Sequence, residues 1–178
     1  DGRARAILAA AADEIYPQSY FNYDLIGFLQ RGEAEQRYAL DFSQAKRKVV
    51  GEGAATLVVE SLENVRGRQG PILAELLGYG MSMDATDFSA PSMSLSGLEH
   101  ACATALARCA LSWRVIGCVV WAPQGNAQDE KVLSVLRSGL EGRFQPVPLV
   151  TTTFNTGYIE TASILVSLAC ALECLKTG

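Results

Sequence analysis

A run of seven apolar residues, Val115 to Trp121 (VIGCVVW), stands between two segments with the periodicity of helices. The first segment is Ser96 to Leu111, and its apolar stripe consists of Leu98, Cys102, Ala105, Leu106 and Cys109. The second segment is Ala127 to Leu140, and its apolar stripe consists of Val132, Val135 and Leu136. A strand this apolar is typical of the middle of a sheet that is covered on both faces. The pattern therefore predicts a layered α/β domain.

Further strands and helices are predicted on both sides of this run. Strands are expected at Ala54 to Glu60, Ile72 to Gly78 and Pro148 to Thr152, and helices at Ser61 to Arg68 (Leu62 and Val65 facing inward) and Thr156 to Lys176. Arg5 to Ala12 fits either a strand or a helix. The sum is a mostly five-stranded mixed sheet with helices on both faces.

Two segments interrupt this alternation. The residues from Tyr16 to Tyr38 are rich in aromatic side chains and follow no clean period, with a helical piece expected near Leu25 to Gln30. A long excursion of this kind is typical of a lid or a partner surface. Asp84 to Ser94 is expected to be a polar loop.

Composition excludes several classes of function. The 178 residues carry a net charge of −4, and the nearest approach to a basic cluster is Lys46-Arg47-Lys48, so no nucleic-acid surface is expected. The most apolar stretch, Ile164 to Leu172, is about half as long as a membrane span, so we expect a buried core helix and no membrane anchor. The first residue is Asp1 and not Met, which indicates a processed chain or a piece of a longer one.

The chain has five cysteines, and most of them lie in apolar runs. We interpret them as small buried residues in a reducing, cytoplasmic compartment. Cys170 and Cys174 share a helical face that a metal could use, but the chain has no CxxC and only one histidine, His100, which we expect near the surface. No metal is expected, and no cofactor either, since GEGAA at residue 51 lacks the spacing of a dinucleotide site.

The stretch from Gly51 to Ala85 carries a specific series of motifs. Gly51-Glu52-Gly53-Ala54 opens a strand that ends in Val59-Glu60, a helix with a basic, glycine-containing end follows, and then comes Gly78-Tyr79-Gly80. In order and spacing this series resembles the start of the C-terminal half of a β-ketoacyl-acyl-carrier-protein synthase.

The resemblance extends more weakly to both edges. Asp1 to Glu14 resembles the last strand of that family's N-terminal half, with Ala9-Ala10-Ala11 where the family has Ala-Gly-Gly. Thr156-Gly157 resembles the family's late Thr-Gly-His turn. The resemblance implies a thiolase-like fold, with residues 1–48 as the end of the preceding half plus the aromatic excursion and 49–178 as the C-terminal α/β domain.

A condensing enzyme of this family uses a cysteine nucleophile and two histidines, with a lysine before the second histidine. The nucleophile belongs to the N-terminal half. The first histidine position falls on Ala122, Pro123 or Gln124, the lysine on Thr153 and the second histidine on Tyr158. None of these side chains readily accepts a proton at neutral pH, since the ordinary pKa of tyrosine is near 10.

Other residues do not replace the missing catalytic set. Cys102 lies in "ACATA" but inside a predicted helix, whereas a nucleophile needs a strand-to-helix elbow, so we interpret it as core packing. Glu130 stands where the family has a glutamate, and without the lysine we interpret it as a solvated helix charge. Gly51, Glu52, Gly53, Thr156 and Gly157 are expected to be structural turn residues.

Three functions remain open. The first is a non-catalytic subunit of the chain-length-factor type in fatty-acid or polyketide biosynthesis, which pairs with an active synthase. The second is a divergent 3-oxoacyl-acyl-carrier-protein synthase with unusual active-site residues, and the third is a binding or scaffold domain. The expected partners are a β-ketoacyl synthase subunit or a second copy, with acyl carrier protein as a further one, because the apolar helix at Thr156 to Lys176 needs a cover.

Overall fold

The computed structural model describes residues 4–29, 49–83, 95–124, 128–142 and 145–177, and its longest ladder joins two strands far apart in the chain. Strand β1 (Ala6–Asp13) pairs antiparallel with β2 (Gly53–Glu60), with Ala6 opposite Glu60 and Asp13 opposite Gly53. Alternate residues of both strands are half-buried, as a period of two requires when one face is covered. The ambiguous segment at Arg5 is therefore a strand, and the strand predicted at Ala54 to Glu60 is confirmed.

A second, short sheet contains the apolar run. Strand β3 (Val119–Val120) pairs parallel with β4 (Leu149–Val150), and the ladder is extended by the amide of Trp121, which donates to the Val150 carbonyl at 3.0 Å. The strand predicted from Val115 to Trp121 forms only at its end, because a 3₁₀ turn occupies Trp113–Val115. The strand predicted at Pro148 to Thr152 is likewise shorter.

The described residues thus form two sheets of two strands each, and the expected five-stranded sheet is not seen among them. The segment predicted as a strand from Ile72 to Gly78 is not a strand, and its end meets helix α3 (Ser96–Arg108) instead. A Cβ on Gly78 would lie 2.5 Å from the Ala105 carbonyl oxygen, and the Arg108 guanidinium donates to the Tyr79 carbonyl at 3.0 Å. The backbone of this segment therefore meets a helix and not a neighbouring strand.

Three predicted helices are confirmed within a few residues. They are α2 (Leu62–Gly67), α3, and α4 (Gln128–Gly139). Ser61 caps α2, since its hydroxyl accepts from the Asn64 amide at 3.2 Å.

The helix expected near Leu25 to Gln30 was misplaced. Helix α1 spans Pro17–Leu25, because proline favours the first turn, and it ends before Gly27, whose φ is 73°. Gln30 and the rest of the excursion to Tyr38 lie outside the described residues, and so does the whole loop predicted at Asp84 to Ser94.

The helix predicted from Thr156 to Lys176 is divided. A four-residue helix, α5 (Thr153–Thr156), ends at Gly157 with φ 76°, and a 3₁₀ turn at Glu160–Ala162 leads into α6 (Ser163–Thr177). The break comes from Gly157 and from Glu160, whose φ of 31° lies outside the helical region.

Burial is less complete than the sequence suggests. The buried apolar residues come from several elements: Leu29, Val65, Leu95, Trp121, Leu133, Leu136, Ile159 and Ala162. The inward prediction is confirmed for Val65 and wrong for Leu62, which is 41% exposed. Helix α6 is not packed on all sides, since Ile164, Leu168 and Leu175 are exposed.

The cysteines also depart from the expectation of burial. Cys102 and Cys109 are half-buried, while Cys118, Cys170 and Cys174 are exposed, and all five are thiols. Cys118 directly precedes β3, and Cys170 and Cys174 lie on α6. None of the helices that the structure describes is long and apolar enough to cross a bilayer.

Candidate functional site

The two glycine-containing turns predicted from the sequence meet in space. The Gly51 amide donates to the Tyr158 carbonyl at 3.1 Å, and the Tyr158 amide donates to the Val49 carbonyl at 2.7 Å. A Cβ on Gly51 would overlap the Thr156 carbonyl oxygen and would lie 3.3 Å from the Gly157 Cα. We call residues 49–53 and 156–159 the paired turns; their backbones touch because glycine stands at the crossing.

Neighbouring residues hold the paired turns in place. A Cβ on Gly53 would lie 3.2 Å from the Ile159 Cδ1, so buried Ile159 fills the space beside this glycine. The Glu52 carboxylate accepts from the Ile15 amide at 3.4 Å, which ties the turn to the chain just after β1. The structure thus brings Gly51, Glu52, Gly53, Thr156 and Gly157 together.

Asp13, at the end of β1, fixes the start of the helical segment after the turns. Its carboxylate accepts from the Thr161 hydroxyl at 2.6 Å and from the Ala162 amide at 3.2 Å. The second bond engages an amide just before the N-terminal end of α6, where negative charge is favourable. Sequence reasoning missed Asp13, because its partners are almost the whole chain away.

Tyr158 is half-buried at this crossing. Burial raises the pKa of its phenol, and the carboxylates of Glu160, Asp129 and Asp13 raise it further. Each of these causes disfavours the phenolate. These surroundings therefore favour the neutral phenol of Tyr158, which can donate a hydrogen bond.

Pro123 and Gln124 form part of a loop that leads from β3 towards α4. Pro123 is fully buried, and the Gln124 amide donates to the Asp129 carboxylate at 3.0 Å. Asp129 is itself only 3% exposed. It is a residue that sequence reasoning missed, although an acidic residue in the first turn of a helix is a recognisable signal.

Thr153 begins the short helix α5. Its amide donates to the Thr151 hydroxyl at 3.1 Å, and the two hydroxyls are also 3.1 Å apart. The neighbouring Thr152 hydroxyl lies 2.8 Å from that of Ser167 on α6. These threonines fix the backbone, and Thr153 supplies no positive charge to the site.

A cavity of about 330 Å³ lies between the paired turns and helix α1. Gly51, Tyr158, Tyr23, Glu160 and Asp13 are among the residues that line it. The Tyr23 hydroxyl donates to the Glu160 carboxylate at 2.7 Å, and this bond, with burial and nearby negative charge, raises the pKa of Tyr23 to about 12. The cavity therefore contains phenols and carboxylates, and no cation is found among those of its lining residues that the structure describes.

The other side chains considered from the sequence lie elsewhere. Cys102 sits within helix α3, and burial raises the pKa of its thiol, which is the opposite of an activated nucleophile. His100 and Glu130 are both exposed, as expected. Among the residues that the structure describes, no three metal-ligating side chains cluster.

Known proteins match both the sequence and the fold, although no family model matches the chain. A 3-oxoacyl-[acyl-carrier-protein] synthase homolog from Saccharomyces cerevisiae is 33% identical over 113 residues, which are 62% of this chain and 25% of that protein. The ishigamide ketosynthase/chain length factor superposes with a TM-score of 0.76 and 26% identity, over 96% of this chain and 41% of that one. The chain is similar to the β-ketoacyl-acyl-carrier-protein synthases over these spans.

A further structure extends the likeness of fold. One chain in a structure of a type II polyketide synthase acyl-carrier protein in complex with its ketosynthase matches with a TM-score of 0.84 and 24% identity, over 98% of this chain and 44% of that chain. The synthase-like chain thus spans less than half of these structures, and the aligned part is about a quarter of the yeast relative. Its fold is the thiolase-like α/β fold of the ketosynthases.

Proposed function

We propose that this chain is part of a catalytically incompetent β-ketoacyl synthase-like subunit of fatty-acid or polyketide biosynthesis, which pairs with an active condensing enzyme. In this proposal residues 1–48 contain the end of the preceding half, and 49–178 form the C-terminal half. All five cysteines are thiols, which is consistent with a reducing, cytoplasmic compartment.

The observation that carries the proposal is the state of Tyr158. It stands where the resemblance places a histidine of the condensing set, and its surroundings raise its pKa rather than lower it. A group with these properties does not take a proton at neutral pH. Its backbone, by contrast, is bonded on both sides to residues 49–51, which favours a structural role.

The other positions where the resemblance places catalytic residues also support a loss of condensing activity. Pro123 has no titratable group, and the backbone amide of Gln124 is bonded to buried Asp129. Thr153 lacks the positive charge of lysine, so nothing at that position stabilises a developing anion. Uncharged side chains at these positions can keep the shape of the site without supporting the condensation reaction.

Exposed apolar surface supports pairing. Large apolar side chains on β1, β2 and the segment after α2 are open to solvent, among them Ile7, Leu8, Val58, Leu76 and Leu77. Patches of this kind mark interaction surfaces. A synthase subunit is the partner that we favour, by analogy with the ketosynthase/chain length factor structure, and acyl carrier protein is a further candidate.

The test is co-expression of the full-length protein with a condensing enzyme from the same source, followed by co-purification and a malonyl-dependent condensation assay. We expect the two proteins to co-purify and Tyr158→Phe to leave the activity of the pair unchanged, as does the control Tyr20→Phe at an exposed position. A loss of activity of about 100-fold or more in Tyr158→Phe alone, at normal stability, would instead indicate a divergent acyltransferase. Failure to bind any synthase or carrier protein would favour a scaffold domain.

A further inference from the structure

The last turn of α6 is open to solvent, whereas its first turns are seated on the rest of the chain. Ser163 and Ser167, in the first two turns, are buried and bonded to the Ile159 amide and the Thr152 hydroxyl. The four consecutive residues 173–176 are instead all exposed. Because successive residues are about 100° apart around a helix, four in a row face every side, so solvent surrounds this turn.

Two cysteines lie on this open part of α6. Cys170 and Cys174 belong to one continuous helix, and both thiols are exposed. They are four residues apart, so their side chains are about 40° apart around the axis and their Cβ atoms about 5–6 Å apart. This spacing follows from the helix itself and requires no contact with another element. A ligand can therefore approach both thiols together from solvent.

The spacing suits an ion that binds two sulfurs in line. A bond from a thiolate to zinc is about 2.3 Å long, and two bonds of that length in line would place the sulfurs about 4.6 Å apart. Each Sγ is one bond from its Cβ, and the two χ1 rotamers that are common in helices move it along the axis. The two sulfurs can therefore reach this separation without unwinding the helix.

The number of ligands selects the kind of ion. Within the described ranges, no group of three cysteine, histidine or carboxylate side chains could hold a metal. Glu173, which precedes Cys174 in the sequence, is bonded to Lys176 at 2.6 Å. Zinc takes three or four protein ligands, so this pair is not suited to zinc. A soft ion that prefers thiolates and accepts two of them fits the pair, and Cu(I) has these properties.

We propose that Cys170 and Cys174 form a binding site for Cu(I), which the two thiolates hold between them at the open end of α6. The ion replaces the two thiol protons, which pass to the solvent, and no electron is transferred. The sequence expectation of no metal was based on the lack of CxxC and of histidines, and a helical pair four residues apart lies outside those motifs. The inference does not depend on the function proposed above.

The test is an anaerobic titration of the reduced full-length protein with Cu(I) against a chromophoric Cu(I) chelator. We expect an ion that binds with the release of two protons. Cys170→Ser and Cys174→Ser should each weaken its binding about 100-fold or more, because the second thiolate of a pair acts at a high effective concentration. The matched control is Cys118→Ser, which removes another exposed thiol and should bind Cu(I) as the unsubstituted protein does.

A second measurement needs no substitution. Alkylation of the unsubstituted protein with iodoacetamide, followed by peptide mapping, should show Cys170 and Cys174 protected by Cu(I) and Cys118 still labelled. The inference is overturned by protection of Cys102 or Cys109 in their place, by one ion shared between two molecules in gel filtration, by an equal loss of affinity in Cys118→Ser, or by binding no tighter than that of Cys170→Ser. Because the mapping uses the unsubstituted protein, a variant that folds poorly does not affect the conclusion.

Discussion

The crossing of the paired turns makes Gly51→Ala the most informative single substitution. The added methyl group would overlap the Thr156 carbonyl oxygen and would lie 3.0 Å from its carbonyl carbon. These are backbone atoms, so no side-chain rotation relieves the overlap. The turns would have to separate, which weakens the bonds from Gly51 to Tyr158 and from Tyr158 to Val49.

The expected cost follows from these contacts. Each weakened backbone bond costs about 1 kcal/mol, and overpacking at a close contact costs about 1–3 kcal/mol. We therefore expect Gly51→Ala to lower the free energy of unfolding by about 3–5 kcal/mol. For a chain of this size that corresponds to a fall in Tm of about 6–20 °C.

Thermal unfolding followed by circular dichroism measures this effect. The matched control is Gly67→Ala at the end of α2, where an added Cβ has no neighbour within 4 Å. Alanine there should leave Tm unchanged or raise it slightly, since it favours the helix by up to about 1 kcal/mol. Equal Tm values for the two variants would refute the crossing of the turns.

Three further predictions concern the surroundings of the site. Tyr23→Phe removes the bond to Glu160 and should cost about 1 kcal/mol in urea unfolding, whereas Tyr20→Phe should cost nothing measurable. Because the pKa of Tyr23 is raised to about 12, its contribution to stability is complete below its unfolded pKa of about 10 and is lost as pH rises towards 12. The free energy of unfolding, measured in urea across this range, should therefore fall less steeply with pH in Tyr23→Phe than in the unsubstituted chain. Equal slopes would contradict the assignment. Asp129→Ala removes a buried acceptor and should cost about 1–3 kcal/mol, while the exposed neighbour Glu130→Ala should change stability by less than about 0.5 kcal/mol.

Local sequence signals were enough to locate most helices. The apolar stripes of α3 and α4 and the serine cap of α2 act within one or two turns, so their boundaries can be predicted without the rest of the chain. The same holds for β2, whose β-branched residues and preceding glycines are adjacent.

Long-range contacts were not accessible in this way. The extended segment at Ile72 has the composition of a strand, but its two glycines allow the backbone to lie against α3. The same difference separates the residues of the candidate site. Those of the paired turns could be identified from their motifs, whereas the importance of Asp13, Glu160 and Asp129 comes from burial or from partners distant in sequence. Their roles required the tertiary arrangement.

The register of β1 and β2 has a consequence for how this chain can change its length. The chain leaves the sheet at Asp13 and re-enters it at Gly53, and these two residues are directly opposite each other. Because the two ends of the intervening segment are neighbours at the same end of the sheet, the segment can become longer or shorter without altering the pairing of β1 with β2. Since doubling a loop costs only about 0.6 kcal/mol in closure entropy, a change of length between helix α1 and the paired turns should cost the ladder of β1 and β2 little.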